Sequence, residues 1–116
     1  MKNKNKEFLE ETMQRIGSYG EANPELMEAF SNVHRIGTQS GALSTKHKAL
    51  IALGISISVK CDGCIAMHTT EALQNDASTD ELVETIGTAI YMGGGPSVVF
   101  GAKAYEMLKE FDKNKQ

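Results

Sequence analysis

Ser44-Thr45-Lys46-His47-Lys48-Ala49-Leu50-Ile51-Ala52-Leu53-Gly54-Ile55-Ser56-Ile57-Ser58-Val59 decides the fold class of this chain. Isoleucine and valine at 55, 57 and 59 alternate with serine, as they would in a half-buried strand. Against that, the run opens on a serine suited to capping a helix and is long for a strand. It therefore reads as a helix. Because Ala49 to Val59 is almost uniformly apolar, it should be the helix buried on all sides.

The chain upstream follows the same period. Phe8, Leu9, Thr12, Met13 and Ile16 recur at helical spacing and stop at Gly17, with Gly20 beyond. Asn23 then caps a second helix with Pro24 at its first position, carrying Leu26, Met27, Phe30, Val33 and His34 up to Gly37. A polar loop, Thr38 to Gly41, leads into the helix capped by Ser44. Downstream, a helix containing both cysteines ends near Asn75, and Ser78-Thr79-Asp80-Glu81 spells a capping box ahead of Leu82, Val83, Ile86, Ala89 and Ile90. Gly93-Gly94-Gly95-Pro96 breaks the chain before a last helix from about Pro96 to Phe111. No hairpin signal occurs, so the fold class is all-α, a bundle of five or six helices in a single domain over residues 1–116. The third, fifth and sixth helices are apolar over wider arcs than one small bundle buries, which predicts a homo-oligomer.

With 116 residues and a formal charge of -3, the chain offers no basic field for nucleic acid or anionic lipid. Met1 to Glu7 is polar and lysine-rich without the apolar core of a signal peptide, and no apolar run reaches membrane length. A cytoplasmic location is the expectation. Two cysteines in that reducing compartment suggest redox cycling or metal rather than a permanent staple. The charged ends, Met1 to Lys6 and Asp112 to Gln116, are the disorder-prone segments.

Both cysteines lie in Cys61-Asp62-Gly63-Cys64-Ile65-Ala66-Met67-His68. On a helix Cys61, Cys64 and His68 fall within an arc of roughly 60°. Two thiols at this spacing can close a disulfide, and a histidine one turn after Cys64 can take its proton and raise the fraction of nucleophilic thiolate. That favours Cys64 for attack and Cys61 as its resolving partner. The opposite order has its own argument, since Cys61 is nearer the helix N-terminus, where the macrodipole favours an anion. Two competing roles carry less weight: simple burial of two small side chains, and zinc. Cys61 and His68 are separated by a rise of about 10 Å, hard to gather around one ion, and no second cysteine pair supplies the remaining ligand.

The other polar residues have plainer expected roles. His34 should cap the C-terminal end of the second helix, and His47, between two lysines, should be solvated. Glu71, three residues after His68, is expected to be an exposed surface glutamate, with a hydrogen bond to His68 as the lesser alternative. Gly93-Gly94-Gly95 lacks the strand, lysine and hydroxyl of a phosphate loop and reads as a tight interhelix turn. The methionines, Tyr91 and Tyr105 suit a core or a subunit interface.

Three segments together resemble the carboxymuconolactone decarboxylase superfamily in its alkylhydroperoxidase D-like (AhpD-like) branch. They are Leu43 to Gly54, Cys61 to His68, and Ala89-Ile90-Tyr91-Met92-Gly93-Gly94-Gly95-Pro96, within residues 43–108. The resemblance implies an all-helical, AhpD-like fold assembled as a trimer or hexamer, with active sites near subunit contacts. It implies that Cys64 reduces a hydroperoxide, Cys61 resolves it as a disulfide, and His68 belongs to a proton relay. The disulfide would be reduced by an external dithiol, a lipoyl or thioredoxin-type protein partner, with no tightly bound cofactor. The family's relay includes a glutamate twelve residues before the first cysteine, and Ala49 stands there in this chain. His47 should face away from that position, while Lys46 and Ser56 lie on roughly its face, though neither replaces a carboxylate.

General acid–base help is worth about 10²–10⁴-fold, so thiol–disulfide chemistry ranks above efficient peroxide turnover for a chain with Ala49. The rival is a catalytically weakened oligomer that keeps the thiol pair for redox sensing or binding, and Ala49→Glu is the substitution expected to separate the two. Decarboxylation of a lactone acid is a weaker third alternative, because that branch does not use this cysteine pair.

Overall fold

Six α-helices follow one another in the computed structural model, which describes residues 4–112: α1 Lys4–Ala22, α2 Pro24–Thr38, α3 Thr45–Ser58, α4 Asp62–Gln74, α5 Thr79–Gly93 and α6 Gly95–Asp112. No strand occurs among the described residues, so the alternation of isoleucine and serine resolves as helix. The serine that most resembles strand patterning explains why a helix tolerates it. Ser56 is buried, and its hydroxyl donates to the Ala52 carbonyl at 2.7 Å, one turn back.

The buried face of α3 is Ala49, Leu53, Ser56 and Ile57, the spacing of a single helical stripe. The expectation that α3 is buried on all sides is corrected here: Ile51, Ile55 and Val59 are 50%, 57% and 63% exposed. In a six-helix arrangement α3 packs on α4, α5 and α6, meets α2 at its start, and leaves the side bearing Ile51 and Ile55 uncovered. Leu53, Ile57, Ile65, Leu82, Met107 and Leu108 are the large side chains fully enclosed between those four helices. Phe8 and Leu9 of α1 lean on this core half-buried, whereas α2 contributes no buried residue.

Helix ends account for the angles between elements. Ser44 caps α3 by accepting the His47 N–H at 3.1 Å. At its other end Lys60 N–H bonds the Ile57 carbonyl at 3.2 Å and Cys61 N–H bonds the Ser56 carbonyl at 3.1 Å. This is a Schellman termination, with Lys60 at φ 60° in the position that favours glycine. The end of α4 repeats it: Asp76 at φ 69° bonds Leu73, and Ala77 bonds Ala72. The expected capping box of α5 is complete, with Ser78 Oγ accepting Glu81 N–H at 3.0 Å and Glu81 Oε1 accepting Ser78 N–H at 2.9 Å. The Ser78 N–H on the Glu81 carboxylate, then Lys46 Nζ at 3.0 Å, hold that carboxyl below its ordinary pKa. Gly94, at φ 74°, makes the turn between α5 and α6 that a side chain would strain.

One helix boundary and one cap depart from expectation. α1 continues through Gly17 and Gly20 to Ala22, because Asn23 N–H still bonds the Tyr19 carbonyl at 2.9 Å and Gly20 lies against Met27 of α2. Tertiary support outweighs a propensity cost of about 1 kcal/mol per glycine. Asn23 is the N-cap of α2 with Pro24 following, but its side chain donates to Tyr19 Oη at 3.1 Å instead of accepting from the helix. Near the N-terminus, Asn5 and Lys6 are helical and their N–H groups bond the Glu110 carboxylate of α6. Asp112, likewise, accepts from Thr79. The rest of the segments expected to be disordered, residues 1–3 and 113–116, lie outside the described residues. Among the described residues no helix is long and apolar enough to cross a membrane.

Candidate functional site

The Schellman turn after α3 delivers Cys61 to the N-cap of α4, in extended conformation at φ -111° and ψ 100°. Cys61 is therefore not within the helix, as a shared helical stripe requires, but closes it. Its Sγ accepts the Cys64 N–H at 3.2 Å, occupying the place of a serine or aspartate oxygen at a cap. The two cysteines are joined as a disulfide with their Cα atoms 5.2 Å apart, and both are half-buried. The sulfur of Cys61 thus sits at the positive end of the α4 macrodipole, where an anion is favoured.

Neighbouring helices hold the loop. A Cβ on Gly63 would stand 3.2 Å from Thr12 Cγ2, so the glycine inside the cysteine motif permits the close approach of α1. Asp62 accepts from Lys103 Nζ of α6 at 2.9 Å.

His68, on α4 one turn beyond Cys64, uses Nδ1 against Glu71 Oε1 at 2.9 Å. The other oxygen of Glu71 meets Nε2 of His34 on α2 at 3.0 Å. An ionised carboxylate only accepts, so both ring nitrogens are the donors: His68 Nδ1–H and His34 Nε2–H. Glu71 is therefore not the free surface glutamate expected. It is 26% exposed and bound at both oxygens, because His34 of α2 reaches this face of α4. His34 likewise spends its donor on Glu71 rather than on capping α2.

Beside this cluster lies a cavity of about 280 Å³, lined by His34, Lys48, Ala49, His68, Glu71 and Asn75 among others. Ala49, the position without the family's glutamate, opens directly onto it. Lys46 pairs with Glu81 and Ser56 bonds Ala52, so neither joins the histidine cluster. His47 is exposed, with Nδ1 at 3.0 Å from Ser44 Oγ, as expected of a solvated residue. A larger cleft of about 530 Å³ lies on the opposite side of α3, between Ile51, Ile55 and Met92, and neither cysteine lines it. Among the described residues no group of three or more His, Cys, Asp and Glu is placed to hold a metal ion.

Sequence spacing brought Cys61, Cys64 and His68 together, and the structure keeps them around the first two turns of α4. It missed the engagement of His34, which is 37 residues from its partner. The one available signal was Glu71 at i+3 from His68.

The sequence profile of the carboxymuconolactone decarboxylase family matches residues 24–107. A crystal structure of a carboxymuconolactone decarboxylase family protein from Legionella pneumophila, in its apo form, is 37% identical and superposes with a TM-score of 0.90, over 94% of this chain and 97% of its own. A family protein from Thermotoga maritima, named for a suggested part in an antioxidative response, shares the fold at 24% identity and TM-score 0.83, covering 92% of each chain. An uncharacterized protein of Cupriavidus necator is 38% identical over 96 residues, 83% of this chain and 85% of its own. The match over most of the chain, together with six helices in the same arrangement, places this protein in the carboxymuconolactone decarboxylase family.

Proposed function

We propose that this protein is a thiol-dependent oxidoreductase of the AhpD-like type, reducing hydroperoxides or disulfides through Cys61 and Cys64. The observation that carries the proposal is the cysteine pair at the N-terminus of α4, already joined as a disulfide, with His68 one turn away. In the peroxide reaction the Cys64 thiolate attacks the distal oxygen of the hydroperoxide. The O–O bond breaks, Cys64 becomes a sulfenic acid, and the departing alkoxide takes a proton from His68. The Cys61 thiolate, favoured at the helix cap, then attacks the sulfenic sulfur, forming the disulfide and releasing hydroxide, which is protonated to water. Two electrons return from an external dithiol of lipoyl or thioredoxin type, which is oxidised to its own disulfide.

The active form is proposed to be a cytoplasmic homo-oligomer, trimer or hexamer. The exposed Ile51, Ile55, Tyr91, Met92 and Val99 are the apolar surface that supports it. The deciding assay follows hydroperoxide consumption with dihydrolipoamide or reduced thioredoxin as donor. Cys64→Ser should abolish turnover, and Cys61→Ser should leave one stoichiometric reaction that stalls at the sulfenic acid. Full turnover by Cys64→Ser would refute this assignment of the nucleophile.

Ala49 favours a second reading, a redox-sensing or binding oligomer with weak turnover. Because Ala49 and Glu71 line one cavity, Ala49→Glu alone would set two carboxylates together and is expected to bring no gain in rate. A large gain would instead mark a degraded peroxidase that lacked only that group.

A further inference from the structure

We propose that Glu71 is the positioning residue of His68, and that His34 is the strut that fixes Glu71, so that α2 completes the proton path of the thiol site. The inference rests on the thiol chemistry proposed above and adds to it the groups that set the state of its histidine.

The argument begins with the proton inventory. A neutral imidazole carries one N–H, and its two tautomers are close in energy unless a neighbour selects one. Glu71 Oε1, 2.9 Å from His68 Nδ1, selects the Nδ1–H form. Nε2 is then the nitrogen left with a free lone pair, and it is the one able to accept the Cys64 thiol proton. When it does, the imidazolium keeps its Nδ1–H on Glu71, and the same Nε2 proton later goes to the alkoxide leaving group. No electron moves in either transfer. A carboxylate behind a histidine is a common means of fixing ring orientation and tautomer.

A glutamate at i+3 does not hold that geometry unaided, because its side chain rotates about three bonds. Here the second oxygen is held as well, by His34 Nε2–H at 3.0 Å. The strut comes from another helix. α2 buries none of its residues, and His34 is 47% exposed on its side chain, so burial does not explain the ring's placement against Glu71. Ala49 contributes to the same cavity a side chain too short to compete for either histidine.

The test uses the reduced full-length protein and measures two quantities in each variant. One is the rate of oxidation by hydrogen peroxide and by cumene hydroperoxide, and the other is the His68 tautomer from 15N chemical shifts. Glu71→Ala should slow oxidation roughly 10- to 100-fold and turn His68 into a mixture of tautomers. Glu71→Gln, whose amide oxygen still accepts from Nδ1–H, should keep the tautomer and recover part of the rate. Glu71→Ala combined with Ala49→Glu should regain rate, since the new carboxylate enters the same cavity. His34→Ala should give a smaller loss than Glu71→Ala.

An unchanged rate with an unchanged tautomer in Glu71→Ala would overturn the inference while leaving the thiol chemistry intact. A lost rate with an unchanged tautomer would overturn it too, by showing that Glu71 acts through stability. If Glu71→Ala does not fold, a Glu71→Gln protein with a mixed tautomer has the same consequence. Thiols inert to peroxide and disulfide in the parent protein would instead refute the redox function, and the positioning role would fall with it.

Discussion

α3 and α2 are neighbours of similar length that reach their places by opposite means. α3 buries Leu53 and Ile57 completely and turns into the cysteine motif through a hydrogen-bonded end. α2 buries nothing, shows Leu26, Phe30, Val33 and Ile36 at 53%, 60%, 62% and 58% exposure, and reaches the thiol side of the molecule through polar groups, His34 against Glu71 and the Thr38 carbonyl against the Thr45 hydroxyl. The contrast separates two jobs. The helix that carries the site is fixed by apolar packing, which is strong and non-directional. The helix that tunes the site rests on α1 through Met27 and is tied to the rest by directional hydrogen bonds, His34 to Glu71 among them.

The largest expected break in that contrast is a core truncation. Leu53→Ala should cost about 2–5 kcal/mol in urea unfolding, whereas Phe30→Ala in the isolated chain should stay within about 0.5 kcal/mol. A Phe30→Ala loss that grows with protein concentration would sharpen the comparison differently, by showing that a second copy covers α2. Next in size are the caps. Ser78→Ala removes an engaged capping box and should cost about 1 kcal/mol, while Asn23→Ala, whose side chain does not cap α2, should cost only a few tenths, both read from thermal or urea midpoints.

A pH series tests the same capping box. Because the folded-state pKa of Glu81 is lowered, its contribution is present at neutral pH and is lost as pH falls through the carboxylate range. Glu81→Gln should therefore narrow the stability difference between neutral and acid pH. The smallest effect is a gain. Lys60→Gly relieves a positive φ and should stabilise by about 0.5–1 kcal/mol, while Gln39→Gly, at φ -62° at the end of α2, should give no gain. Failure of Lys60→Gly to stabilise would mean that the turn before Cys61 is held by more than its backbone bonds.

Much of the fold was legible because its signals are local. Ser44, Pro24 and the Ser78 to Glu81 box each name a helix start within four residues, and all three starts appear as expected. The ends of α3 and α4 also fall where expected, near Val59 and Asn75, although the positive-φ residues that follow are Lys60 and Asp76 rather than glycine, and α1 runs through two glycines that ordinarily end a helix. At Lys60 and Asp76 the hydrogen bonds to the last carbonyls of their own helices outweigh the residue's preference, and at Gly20 the packing against Met27 of α2 does.

Sequence by itself determined the all-helical class, the family, and the grouping of Cys61, Cys64 and His68, since periodicity and close spacing bind residues that are near in the chain. Tertiary structure alone decided that Cys61 caps α4 rather than lying within it, that one side of α3 stays open, and that Glu71 is shared by two histidines. The physical reason is the range of the interaction. A helix sets what happens within a turn or two, but which side chain from a distant helix arrives beside Glu71 depends on how α1 and α3 hold α2, and no spacing along the chain encodes that placement.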